Sequence, residues 1–84
     1  MKTKEEIFIQ LKDLLLELFE LDEQLITLDA KLYEDLDLDS IDAVDMVVRL
    51  QDMTGKKILP EDFKNTRSVE DVIDLIYELI HATP

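Results

Sequence analysis

Apolar residues in the first part of the chain recur at the three- and four-residue spacing of an α-helix. Thr3 precedes Glu6 by three residues, a capping-box pattern in which each side chain accepts a hydrogen bond from an otherwise unpaired backbone N–H. We therefore expect a first helix that starts after Thr3 and ends near Leu18. Its buried face is predicted to consist of Ile7, Phe8, Leu11, Leu14, Leu15 and Leu18.

The helical period fades between about Phe19 and Asp39, although apolar residues remain frequent. So long a connection in a small domain tends either to hold a function or to contain a turn of helix. We expect an ordered loop. The residues available to anchor it to a core are Leu25, Ile26, Leu28, Leu32, Tyr33 and Leu36.

A second helix is predicted to begin at Asp39 or Ser40. Asp39 can accept hydrogen bonds from the first N–H groups, and Asp42 adds negative charge to the first turn, where the helix dipole favours it. The helix should end at Gly55, because glycine adopts the left-handed conformation of a C-terminal cap without strain.

Two further helical segments follow. Pro60 favours a short helical turn over residues 60–63, because its fixed φ suits a first helical position. Ser68 and Asp71 form another capping pattern, before a last helix that runs to about His81. The predicted fold class is all-α: a small irregular four-helix bundle, with three long helices, one short helix and a long first loop, in a single domain over residues 1–84. The apolar face of the last helix is predicted to be Val69, Val72, Ile73, Ile76, Leu79 and Ile80.

The second helix has two apolar faces. A core face is predicted from the spacing of Ala43, Met46, Val47 and Leu50. Three more aliphatic residues point about 150° away from it; they are Ile41, Val44 and Val48, and Asp42, Asp45 and Asp52 flank them. The pattern fits two interpretations: the long loop covers these aliphatic residues, or they form a docking surface on which the acids attract a basic partner.

Charge narrows the choice of partners. The 84 residues include 21 acidic and 9 basic side chains, which gives a net charge of −12. Such a charge disfavours nucleic acids and anionic membranes and favours proteins with Arg or Lys patches. The chain has no cysteine, and its apolar runs are too short for a membrane span or a signal peptide. We therefore expect a cytoplasmic protein without membrane insertion.

The sequence contains three candidate chemical sites: an acidic run, a histidine and a serine. Asp35, Asp37 and Asp39 match the first, third and fifth positions of an EF-hand calcium loop, but the glycine and the bidentate glutamate that such a loop needs are Ser40 and Met46 here. A specific metal site is therefore not expected. The single histidine has no GxSxG elbow to accompany it, so hydrolysis is not expected either. The serine that begins the second helix is, from the residues alone, an ordinary helix-start serine.

A family resemblance changes the interpretation of that serine. The stretch DLDLDSIDAVDMVVRL, from Asp35 to Leu50, resembles the serine region of acyl carrier proteins, where a DSL-type tripeptide begins the second helix. Here the tripeptide is Asp39, Ser40 and Ile41. The amphipathic first helix, the long loop and the capped last helix also follow the family's order, so the likeness covers nearly the whole chain.

The resemblance implies a carrier rather than an enzyme. A phosphopantetheinyl transferase would attach 4'-phosphopantetheine covalently to Ser40, and the thiol of this arm would carry acyl groups between enzymes of fatty acid, lipid or polyketide-type synthesis. The partners implied are this transferase and acyl-loading and acyl-accepting enzymes with basic patches. A monomer is expected, because a shuttle must present one face to successive enzymes. The partner-binding residues implied are Asp39, Ile41, Asp42, Val44, Asp45, Val48 and Asp52.

Some positions depart from the family pattern, and other functions remain open. Asp37 stands where the family commonly has glycine, and Arg49 and Gln51 stand where a small uncharged residue and an acid are common, so the choice of partners is expected to differ. One alternative is an aminoacyl carrier, for D-alanyl or peptidyl groups. The other is an acidic interaction module without a prosthetic group.

Overall fold

Three α-helices form the body of the described part of the molecule. The computed structural model describes residues 3–58 and 66–81. Helix α1 covers Lys4–Phe19, α2 covers Ser40–Thr54 and α3 covers Val69–His81, and a 3-10 turn at Glu23–Leu25 lies between α1 and α2. No sheet forms within the described ranges, where an isolated bridge pairs residues 31 and 68. The all-α class and the three long helices are confirmed, and the short helix predicted at residues 60–63 lies outside the described residues.

Helix α1 begins and ends close to the predicted positions. The Glu6 N–H donates to Thr3 Oγ1 at 3.2 Å, so Thr3 is the N-cap. The helix ends one residue beyond the predicted Leu18, at Phe19, and Glu20 closes it in the left-handed conformation. The predicted buried face is confirmed for Ile7, Leu11, Leu14 and Leu15, whereas Phe8 and Leu18 are only partly buried.

The core is aliphatic and receives residues from each of the three described helices. Ala43, Met46 and Leu50 of α2 are buried in it as predicted, and Val47 is partly buried. Complete burial of one such large aliphatic side chain contributes roughly 1.5–3 kcal/mol before the loss of conformational entropy is counted. From α3, the core receives Val69, Val72, Ile73 and Ile76, and Leu79 and Ile80 pack partly against it.

The connection between α1 and α2 is an ordered loop, as predicted, but its anchors differ in part. Ile26, Leu32 and Leu36 are buried, and so are Ala30 and Leu38, which the sequence did not single out. Backbone hydrogen bonds hold this loop to the start of α3, so not every apolar side chain in it has to reach the core. The predicted anchors that are instead about half exposed are Leu25, Leu28 and Tyr33.

Those backbone bonds join the loop to the residues around the start of α3. The Leu32 N–H donates to the Arg67 carbonyl at 2.8 Å, the Val69 N–H to the Ala30 carbonyl at 3.0 Å, and the Glu70 N–H to the Leu28 carbonyl at 2.9 Å. These bonds therefore fix the loop against the start of α3.

Candidate functional site

Helix α2 starts at a reciprocal cap. The Asp42 N–H donates to Asp39 Oδ1 at 2.9 Å, and the Asp39 N–H donates to Asp42 Oδ2 at 3.2 Å. Asp39 was predicted as the cap, whereas Asp42 was expected only to add charge to the first turn. The three-residue spacing of the two acids is compatible with a capping box, but the usual capping-box pattern has Glu or Gln at its second position, so this one was not predicted from the sequence. The cap fixes Ser40 as the first helical residue.

The two serines of the chain differ in what their hydroxyl groups do. Ser68 Oγ accepts the Asp71 N–H at 3.2 Å in the cap of α3, and this serine is half-buried. Ser40 is exposed, and its hydroxyl makes no hydrogen bond to any residue in the described part of the chain. Of the two, Ser40 is therefore the one whose oxygen is accessible and uncommitted.

The turn that leads to Ser40 is held by its own hydrogen bonds. The Lys31 N–H donates to Asp35 Oδ2 at 2.8 Å, and the Leu36 N–H donates to the Lys31 carbonyl at 3.0 Å. The Leu38 N–H donates to the Leu32 carbonyl at 3.1 Å, and the Leu38 side chain is buried. These bonds and the buried side chain fix the direction in which the chain enters α2.

Exposed aliphatic side chains continue from Ser40 along α2. Ile41 is 77% exposed, Val44 64% and Val48 48%, and we call these three residues the aliphatic face. The interpretation in which the long loop covers them is therefore wrong: that loop packs against the start of α3 instead. An exposed row of this kind, next to charged residues, is typical of an interaction surface.

The acids predicted around the aliphatic face differ in their contacts. The Asp39 and Asp42 carboxylates accept hydrogen bonds within the cap. Asp45 and Asp52 are exposed, and neither forms an ion pair with another described residue. These last two carboxylates therefore face solvent without an ion-pair partner among the described residues.

The two positions that depart from the family pattern on α2 have different environments. Gln51 is half-buried, and its Oε1 accepts the Ile58 N–H at 3.0 Å, so its amide holds the segment that follows the helix. Arg49 is exposed on the surface of the helix.

Two of the three aspartates that resemble a calcium loop are engaged with the backbone. Asp35 and Asp39 accept backbone N–H groups through their carboxylates. Within residues 3–58 and 66–81, no three His, Cys, Asp or Glu side chains are grouped as a metal ion would require. None of the helices in these ranges combines the length and apolarity that crossing a bilayer demands.

Comparison with known proteins identifies relatives over nearly the full chain. Residues 10–76 match the family model described as "Phosphopantetheine attachment site". The chain is 46% identical over 80 residues to "Acyl carrier protein 2" of Ralstonia nicotianae, which covers 95% of this chain and 99% of that protein. It is 32% identical over 79 residues to "Acyl carrier protein" of Petrotoga mobilis, covering 94% and 93%, and 36% identical over 76 residues to that of Thermotoga maritima, covering 90% and 94%.

Proposed function

Because this chain belongs to the acyl carrier protein family, we propose that its phosphopantetheine arm is attached to the Ser40 hydroxyl. Acyl carrier proteins carry this arm and are not themselves catalysts. The observation that supports Ser40 is its exposed hydroxyl without a hydrogen-bond partner among the described residues, whereas the hydroxyl of Ser68, the other serine, is used in a cap.

The position at the start of α2 suits a phosphodiester. The first N–H groups of a helix and its dipole favour negative charge, while the nearby Asp39 and Asp42 carboxylates partly oppose it. On attachment, Ser40 Oγ would form a bond to phosphorus and lose its proton, and the adenosine bisphosphate portion of coenzyme A would leave. The bound arm supplies a terminal thiol for acyl thioesters, which this cysteine-free chain lacks.

We propose that partner enzymes dock on α2 next to Ser40. The aliphatic face supplies apolar area, and the acids around it supply attraction to Arg and Lys on the phosphopantetheinyl transferase and on acyl-loading and acyl-accepting enzymes. The residues proposed to contact partners are Asp39, Ile41, Asp42, Val44, Asp45, Val48 and Asp52.

The proposed cargo is an acyl thioester of fatty acid, lipid or polyketide-type synthesis. The relatives reported above are acyl carrier proteins by name, and this supports an acyl rather than an aminoacyl cargo. We place the protein in the cytoplasm, where coenzyme A, the donor of the arm, is available.

The attachment site is tested by loading the protein in vitro. Wild-type protein, Ser40→Ala and Ser68→Ala would be incubated with coenzyme A, Mg²⁺ and a broad-specificity phosphopantetheinyl transferase, and their intact masses measured. We expect the mass of one arm on the wild type and on Ser68→Ala and no addition to Ser40→Ala. Addition to Ser40→Ala, or none to the wild type, would contradict the proposal.

The docking face is tested in the same reaction with a matched pair of variants. Val44→Asp places a charge on the aliphatic face, whereas Ile9→Asp makes a similar change at an exposed position of α1 that is 60% accessible. We expect slower loading for Val44→Asp only, because docking would have to desolvate the new carboxylate against apolar surface. Equal loading rates for both variants would contradict the proposal that enzymes dock on α2.

A further inference from the structure

Arg49 interrupts the acidic surface of α2. It is the only basic residue in this helix, whose sequence is SIDAVDMVVRLQDMT. At about 100° per residue, Arg49 lies about 40° around the helix from Asp45 and about 60° from Asp52. The arginine is therefore on the side of α2 where the acids predicted to contact partners lie.

The acidic surroundings of Arg49 extend to α1. A groove of about 400 Å³ between α1 and α2 is lined by Arg49 together with Asp13, Glu17 and Asp52. Arg49 is the one basic side chain among the described residues that line this groove, and three carboxylates line it as well. Any enzyme that docks over α2 and the groove meets positive charge at this point.

No acid among the described residues forms an ion pair with the guanidinium group of Arg49. Asp45, four residues before Arg49, has the spacing and order that favour an ion pair on a helix. The ion pairs between described residues are nevertheless Lys4 with Asp74 and Lys12 with Glu23, and Arg49 takes part in neither. Arginine presents five donors in a planar fork that fits a carboxylate in bidentate fashion. No described residue accepts a hydrogen bond from the guanidinium group of Arg49.

We propose that Arg49 determines which enzymes this carrier accepts. It favours an enzyme whose basic docking surface contains one carboxylate opposite Arg49, and it disfavours an enzyme whose docking surface is basic throughout. An opposed carboxylate gains a charge-assisted contact, whereas an opposed lysine or arginine suffers like-charge repulsion. This inference rests on the proposed docking of enzymes on α2.

The test compares charge reversals inside and outside the docking surface. The probe is a phosphopantetheinyl transferase with a basic carrier-binding surface, and kcat/KM for loading is measured for wild type, Arg49→Glu and Lys57→Glu. Lys57 is exposed beyond the end of α2, so its reversal changes the net charge equally without altering the helix. We expect Arg49→Glu to raise kcat/KM roughly three- to tenfold at low ionic strength, an increase that shrinks in high salt, and Lys57→Glu to change it less than twofold.

A second set of transferase variants tests the attractive half of the proposal. Basic residues of its carrier-binding surface are replaced by Glu one at a time. We expect one of these variants to load the wild-type carrier faster than Arg49→Glu, which reverses the original order. Circular dichroism confirms that the carrier variants are folded.

The possible failures can be told apart. Equal effects of Arg49→Glu and Lys57→Glu would show that only net charge matters and would overturn the role of Arg49. Absence of a reversed order in every transferase variant would overturn it as well. Both results leave loading at Ser40 intact, whereas no loading of any carrier would overturn the proposed function and this inference together.

Discussion

Asp37 adopts the left-handed backbone conformation, with φ of 57°, three residues before Ser40. For L-residues this conformation costs roughly 1–2 kcal/mol, less for Asp and Asn, whose side chains can hydrogen-bond locally, and nothing for glycine. The family resemblance places a glycine here, and the positive φ is the physical reason for it. In this chain Asp37 adopts the left-handed conformation although it is not glycine.

A pair of uncharged variants tests this conformation. In an ordinary loop, Ala is more favourable than Gly, because glycine loses more backbone entropy on folding. At Asp37 we expect the opposite order, with Asp37→Gly more stable than Asp37→Ala by about 1 kcal/mol, because alanine must bear the left-handed strain. Urea unfolding of both proteins measures the difference, and an alanine variant as stable as the glycine variant would contradict the assigned turn.

Positive φ angles also show what can be predicted residue by residue. The end of α2 was predicted at Gly55, which has φ of 68°, because glycine itself is the signal. Glu20 and Asp37 adopt the same region without being glycine. Nothing in the residue type indicates this for Glu20, and aspartate is only a weak signal for it at Asp37. Local sequence therefore locates the left-handed turns that glycine makes and misses those imposed by the surrounding fold.

Three hydrogen bonds cap the start of α3. One Asp71 carboxylate oxygen accepts the Arg67 N–H at 3.1 Å and the Ser68 N–H at 3.2 Å. The hydrogen bond from the Arg67 backbone is the main reason that the pKa of Asp71 is lowered, and the bonds from Ser68 contribute to the same shift. The Arg67 carbonyl in turn accepts the Leu32 N–H, so this cap lies next to the loop that leads to Ser40.

The cap predicts a pH-dependent difference in stability. Since folding lowers the pKa of Asp71 below its ordinary value of 3.8, the ionised carboxylate stabilises the fold above that pH. This contribution is lost as the pH falls through the lowered pKa. We expect Asp71→Asn to reduce the free energy of unfolding by about 1 kcal/mol at pH 7 and the difference from wild type to shrink below about pH 4.

The control for the cap is Glu70→Gln, which removes the same charge from the neighbouring, exposed residue. Both variants change the net charge equally, so general repulsion affects them alike. A pH-dependent difference of equal size in Glu70→Gln would assign the effect to overall charge instead of to the cap.

For helix α2, the sequence predicts some features of the element and leaves one undecided. Its ends and its two apolar faces follow from the spacing of residues within the helix, and both were predicted. The sequence could not decide whether the loop covers Ile41, Val44 and Val48, because that depends on where the loop packs. The backbone bonds of Leu28, Ala30 and Leu32 to the start of α3 settle the question, and backbone bonds leave no trace in residue type.

At the scale of the whole molecule, charge opposes folding. A net charge of −12 is confined to a fold with a radius of gyration of 11.8 Å. The ion pairs between described residues, Lys4 with Asp74 and Lys12 with Glu23, each include at least one well exposed side chain. Exposed pairs contribute little to stability, because solvent and salt screen them. Much of the repulsion between the acids is therefore not compensated by the fold itself.

Salt is expected to stabilise the protein for this reason. The Debye length falls from about 30 Å at 0.01 M to about 10 Å at 0.1 M ionic strength, which is comparable with the size of the domain. We expect the urea midpoint to rise over this range with NaCl and with KCl alike, because screening does not depend on the identity of the ion. A midpoint that stays constant over this range would contradict the picture of a self-repelling fold.

The most direct test of the central claim is to locate the arm within the loaded protein. Wild-type protein would be loaded from coenzyme A, digested with a protease, and the modified peptide fragmented in the mass spectrometer. We predict that the phosphopantetheine mass stays with the fragments that contain Ser40 and is absent from those that contain Ser68. Modification of any residue other than Ser40 would contradict the assignment of the exposed hydroxyl at the start of α2 as the attachment site.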